Sequence, residues 1–217
     1  MNNWGHGGFK HIIKTVLFMS TITPLFPTLL LTLNYPPPKD LVDYCNIHYQ
    51  QKKYTAGERS NRLGWQSKPH VIQQLNPVLQ YIDQHTYTKP LIHGQAWLNI
   101  NPIHGYNVSH IHPNSDYTFV YYLTDDNVDI HLQHPHVYEQ HNHYLSLQQQ
   151  YKEQYPSGHI VSITPNKGDI LMFPSYIPHF VDSNNKSSKR VSISWNSDVK
   201  DLPRVWRDTP PSANENQ

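Results

Sequence analysis

His110-Ile111-His112 places two imidazoles two residues apart, a spacing that turns both to one face of an extended segment. His179 follows 67 residues after His112, just past Gly168-Asp169-Ile170-Leu171-Met172-Phe173-Pro174. Arg190 and Ser192 lie 11 and 13 residues beyond His179. Imidazole is a ligand for first-row metals, and three on one side of an ion leave its opposite positions open. A guanidinium on a later strand can hold a carboxylate bidentately, and a serine hydroxyl can donate one more hydrogen bond. This spacing predicts a metal centre of His110, His112 and His179 beside an anionic co-substrate held by Arg190 and Ser192.

Three imidazoles carry one negative charge fewer than two imidazoles and a carboxylate, so Zn or Ni competes with Fe(II) as the expected metal. Asp116, four residues past His112, is an alternative ligand if the chain bends at Pro113. Asp169 reads as a turn residue. The literal His141-Asn142-His143 lacks the spacing of HNH nucleases.

Strands must position these groups, and from about residue 90 the sequence supplies them. Residues 91–100 alternate around Ala96, Leu98 and Ile100, and residues 117–123 are a dense aromatic and β-branched run. Residues 128–132, 160–163, 170–173 and 191–195 complete the series. On the last strand Arg190, Ser192 and Ser194 share one face and Val191 and Ile193 the other, which predicts a wet interior. Upstream, residues 28–33 read as a strand and residues 39–47 as a helix after three prolines. Val71, Leu75, Val78, Leu79 and Ile82 mark a second helix, with Asn76 as its cap and Pro77 in its first turn. Residues 136–157 are a long polar excursion, expected to form a lid or mobile insertion. Helices followed by six or more strands predict an α+β fold with a mainly antiparallel, barrel-like sheet.

The 217 residues suffice for one domain with a real core. We expect an N-terminal extension over 1–23, a single domain over 24–207 and a disordered tail over 208–217. A net charge of +1 gives no pull toward nucleic acid or membrane. Residues 12–33 are apolar, but Pro24 and Pro27 interrupt them and no small-residue cleavage site follows. Met19 opens Met-Ser-Thr and reads as a start site, which makes residues 1–18 an upstream extension and the cytoplasm the expected location. A single cysteine, Cys45, excludes an intramolecular disulfide and suits a reducing compartment.

Several blocks together resemble the 2-oxoglutarate/Fe(II)-dependent oxygenases. They are Gly64-Trp65-Gln66-Ser67, Asn107-x-x-His110-x-His112-Pro113-x-Ser115, Val120-Tyr121-Tyr122-Leu123, Gly168-Asp169-x-Leu171-x-Phe173-Pro174-Ser175 and His179-(x)10-Arg190-x-Ser192-Ile193-Ser194-x-Asn196. The resemblance covers residues 24–198 and is strongest to a little-characterised family common in bacteria and their phages. It implies a double-stranded β-helix (jelly-roll, cupin-like barrel) flanked by N-terminal helices. It also implies a dioxygenase, acting as a hydroxylase, that uses Fe(II), 2-oxoglutarate and O2, with ascorbate as a reductant. On this resemblance His110, His112 and His179 occupy the metal positions, and Arg190 with Ser192 grips the C5 carboxylate of 2-oxoglutarate. Asn107, or a tyrosine of the 117–122 strand, completes co-substrate binding. Most of the superfamily has a carboxylate where His112 stands, whereas the little-characterised family accepts His-x-His-Pro. Thr124-Asp125-Asp126-Asn127 replaces the usual glycine-led strand. The prime substrate stays open between a protein side chain, a nucleotide and a small metabolite. Two other readings share the scaffold: a non-oxidative cupin-like ligand-binding module without need of Arg190, and a degenerate structural or interaction protein without metal.

Overall fold

The computed structural model describes residues 28–52, 55, 59–125, 128–149 and 159–202. The expected extension over 1–23, the tail over 208–217, residues 126–127 of the replaced loop and residues 150–157 of the polar excursion lie outside the described residues.

Helix α1 (Lys39–Gln50) begins where the three prolines end. Pro38 holds the last non-helical position with φ −58 and ψ 139, and proline disfavours helix in the residue before it. Leu41, Cys45 and His48 come round to one buried face. Helix α2 (Asn76–His85) has Pro77 in its first turn, where a missing N–H costs nothing, and buries Val78 and Ile82.

Two antiparallel sheets follow. The larger is ordered β1 (Leu31–Asn34), β9 (Asp169–Pro174), β6 (Tyr117–Tyr122), β11 (Arg190–Val199), β4 (Leu91–Asn101) and β3 (Trp65–Gln66). The smaller is ordered β2 (Asn61–Arg62), β5 (Tyr106–His110), β10 (His179–Val181), β7 (Ile130–Gln133) and β8 (Ile160–Ile163). Helix α3 (Val137–Ser146) lies in the polar excursion.

The two-residue period of the strands divides the core. Phe119 and Tyr121 of β6, Ile170 and Met172 of β9, and Ile193 and Trp195 of β11 pack with Leu41, Val78 and Ile82 of the helices. Their neighbours Val120, Tyr122, Leu171 and Phe173 face Ile130, Leu132 and Val181 of the smaller sheet. Trp195 stacks on its cross-strand partner Phe119, with ring centroids 5.0 Å apart and planes 4° from parallel. Each such side chain contributes roughly 1.5–3 kcal/mol by burial, so this layer anchors the strands. On β11 the opposite face is polar, with Arg190, Ser192 and Ser194 buried in a narrow space between the sheets.

Four local expectations are corrected. The first strand starts at Leu31, since Leu29 and Leu30 precede the ladder and are exposed. A 3-10 turn (Gln73–Leu75) leads into α2, so Asn76 is its first residue rather than a side-chain cap, and Val71 lies outside it, exposed. The final strand runs on to Val199. His110 ends β5, while His112 lies between the strand and the turn at residues 113–114 and donates its backbone N–H to the Ser175 carbonyl at 3.0 Å. Among the described residues no helix is long and apolar enough to cross a membrane.

Candidate metal centre and co-substrate pocket

Strands β5 and β10 are hydrogen-bonded neighbours with His110 opposite His179, so the register brings together residues 69 positions apart. His112 joins them from the segment just after β5. Ring centroids are 5.1 Å (His110–His112), 4.2 Å (His110–His179) and 5.0 Å (His112–His179) apart. One nitrogen from each ring lies within 4.8 Å of the others, close enough for a single ion to be shared.

The hydrogen bonds decide which nitrogens these are. His110 Nδ1 is 2.8 Å from the Val108 carbonyl, and His179 Nδ1 is 3.0 Å from that of Ile177. A carbonyl only accepts, so each Nδ1 carries the proton and each Nε2 is bare. His112 Nδ1 is 2.7 Å from Asn196 Oδ1. Burial pushes all three imidazoles below their ordinary value, His112 to about 4 and His179 to about 3, where neighbouring His110 and His112 add to the effect. They are therefore neutral at neutral pH. This donor set fits a first-row divalent ion: three neutral imidazoles side by side, with the tautomers of His110 and His179 fixed from behind.

Arg190 lies 2 % exposed opposite Asn101, with its guanidinium carbon 5.1 Å from the Tyr122 ring centroid. Ser192, Ser194, Asn99 and Asn107 line the same space of about 30 Å³ as Arg190, and the three histidines close its other side. Asn107 is anchored from both sides: its Oδ1 accepts from Asn101 Nδ2 at 2.9 Å and its Nδ2 donates to Ser60 Oγ at 3.2 Å. Of the strand's tyrosines, Tyr121 donates to the Tyr35 carbonyl in the helix-side layer, while Tyr122 faces Arg190. A wider cleft of about 460 Å³ opens beside the histidines, lined by Arg59, Gln66, Pro69, Trp97, Ile111 and Asn196 among others.

Asp116 does not join the cluster; its carboxylate accepts from the Val199 N–H at 2.8 Å. Asp169 is a turn residue, accepting from Asn34 Nδ2 and the Asn166 N–H, both at 2.8 Å. Sequence reasoning overlooked Asn99, Trp97, Arg59 and Thr118. Asn99 is 6 % exposed, donates to Ser194 Oγ at 3.1 Å, and its Oδ1 has no partner among the described residues. Its alternation with Ala96, Leu98 and Ile100 on β4 was the available signal. A look-alike constellation, Ser197–His93–Asp83, is a structural clasp. Ser197 is 1 % exposed, and Trp195 Nε1 also donates to His93 Nδ1.

Residues 95–196 match the family described as "Putative 2OG-Fe(II) oxygenase". The Gly64–Ser67 block lies upstream of that match. Among solved structures, a Pseudomonas putida prolyl-4-hydroxylase aligns at 13 % identity and TM-score 0.52, covering 79 % of this chain and 93 % of that one. A Trichoplax adhaerens prolyl hydroxylase, solved with a peptide fragment of hypoxia inducible factor, aligns at 13 % identity and TM-score 0.51, covering 78 % and 83 %. The non-heme alpha-ketoglutarate-dependent carbocyclase SnoK from nogalamycin biosynthesis aligns at 10 % identity and TM-score 0.51, covering 78 % and 79 %. At these identities the likeness is one of fold. No curated protein matches the sequence.

Proposed function

We propose that this chain is a 2-oxoglutarate/Fe(II)-dependent hydroxylase, an oxidoreductase, with His110, His112 and His179 as its metal ligands; the match of residues 95–196 to that oxygenase family supports the reading. The three imidazoles, each with one nitrogen within 4.8 Å of the others, carry this reading. We read the two facing sheets as a double-stranded β-helix and residues 24–207 as one domain.

Held by the three histidines, Fe(II) would supply the oxidising chemistry, with 2-oxoglutarate and O2 as co-substrates. The chain's own groups do the rest. Arg190 and Ser192 hold the far carboxylate of 2-oxoglutarate, and Tyr122 supports the guanidinium from its ring face. Asn107 braces the pocket wall through Asn101 and Ser60, and Asn99 offers its amide with Ser194. Val120 and Ile130 keep the inner end of the pocket apolar. The prime substrate enters the wider cleft past Trp97. Arg59 is the one formally charged side chain among its described lining residues, so the cleft disfavours cationic groups.

Anaerobic titration of Fe(II)-loaded protein with 2-oxoglutarate tests the reading. Bidentate chelation gives a weak visible charge-transfer band, expected in the wild type and absent after His179→Ala. Fe(II) binding without any band would refute the co-substrate site.

A further inference from the structure

Asn196 sits where β11 loses register with β4, between Trp195 and Ser197, and is the cross-strand partner of Thr118 on β6. Irregularities of this kind re-aim a side chain beside a site. Here the amide Oδ1 comes to 2.7 Å from His112 Nδ1. Gly94 makes room across the gap, since a Cβ there would stand 3.0 Å from the Asn196 carbonyl oxygen.

His112 differs from the other two histidines in having, among the described residues, no backbone carbonyl at Nδ1. Thr118 Oγ1 also lies 3.0 Å from that nitrogen, and a hydroxyl can donate as readily as accept. Thr118 alone therefore leaves both tautomers open. The neighbouring hydroxyls can reorient: Ser115 Oγ has both Ser175 Oγ at 3.1 Å and the His112 carbonyl at 3.3 Å as acceptors, Ser175 lies 3.0 Å from Thr118, and Thr118 Oγ1 can donate to Asn196 Oδ1 at 3.3 Å. An amide oxygen accepts only, so its second donor is the His112 Nδ1–H.

We propose that Asn196 is a positioning residue that fixes His112 as the Nδ1–H tautomer and keeps Nε2 bare toward the metal. The proposal rests on the reading of His112 as a ligand. A carboxylate at position 112 would need no such partner; an imidazole there does. Without Oδ1 the Thr118 proton turns to Nδ1, and the imidazole proton moves to Nε2, where it faces the metal position.

Long-range 1H–15N NMR of metal-free, histidine-labelled protein reads the tautomer, with His112 assigned by its loss in His112→Gln. Zn(II) titration of the same samples reads affinity. The wild type should show Nδ1–H, and Asn196→Leu should show Nε2–H with affinity lowered about ten- to hundredfold while His110 and His179 keep their tautomers. Asn196→Asp restores an acceptor and should recover both. An Nε2–H tautomer in the wild type overturns the proposal whether or not any variant folds. So does a folded Asn196→Leu with unchanged tautomer. Wild-type protein that binds no Zn(II) would instead sink the metal reading, while the tautomer comparison still stands.

Discussion

Replacing Arg190 with methionine separates co-substrate binding from stability. Methionine keeps most of the buried stem and removes the guanidinium fork, so the change deletes hydrogen bonds rather than volume. Two charge-assisted bonds to a carboxylate contribute about 1.5–3 kcal/mol each, or about 3–6 kcal/mol together. That corresponds to a loss of roughly a hundredfold or more in 2-oxoglutarate affinity. The metal-free protein reports the structural share separately. Arg190 is 2 % exposed and its guanidinium lies over the Tyr122 ring, so the substitution removes packed contacts along with a buried charge. Its melting temperature should therefore fall even without co-substrate, while the affinity loss appears only in the titration. Anaerobic titration with 2-oxoglutarate and calorimetric melting of the same preparations measure the two effects. Affinity within about threefold of wild type would refute the assigned grip, because no desolvated bidentate contact is worth so little.

Acid should destabilise the metal-free protein through its three buried histidines. Their pKa is lowered on folding, so below about 6.5 the unfolded chain takes protons that the folded one refuses. Stability present above that pH falls until the folded groups titrate, near about 4 for His112 and about 3 for His179. Urea midpoints measured across this range should drop steadily, and less steeply in His179→Gln; a flat profile would contradict the neutral, buried assignment. Trp195→Ala should cost about 3–5 kcal/mol in urea unfolding, because it empties a fully buried site stacked on Phe119. A cost below about 1 kcal/mol would mean the layer is not packed as described. Gly168→Ala should cost about 1–3 kcal/mol, since φ is +93° and the new Cβ would stand 3.1 Å from the Tyr35 carbonyl oxygen. Equal stability by the same assay would exclude that turn geometry.

Local pattern alone was enough to read much of this protein. The two-residue alternation of residues 91–100 and the dense aromatic and β-branched run of residues 117–123 marked the strands, and the prolines marked where α1 and α2 begin, because both are settled by near neighbours. The polar face of Arg190, Ser192 and Ser194 was legible for the same reason. What the sequence could not choose was decided by partners far along the chain. Opposing His110 to His179 required the β5–β10 ladder. Removing Asp116 from the ligand set required the Val199 N–H, 83 residues away. Turning Asn107 into a brace required Asn101 and Ser60, and finding Asn99 required β4 to lie beside β11. The state of His112 depends on Asn196, 84 residues downstream and re-aimed by a break in strand register. Residue type and spacing declare which groups can ligate; the tautomer that makes an imidazole a ligand is set by hydrogen-bond partners, and these exist only once distant strands are side by side.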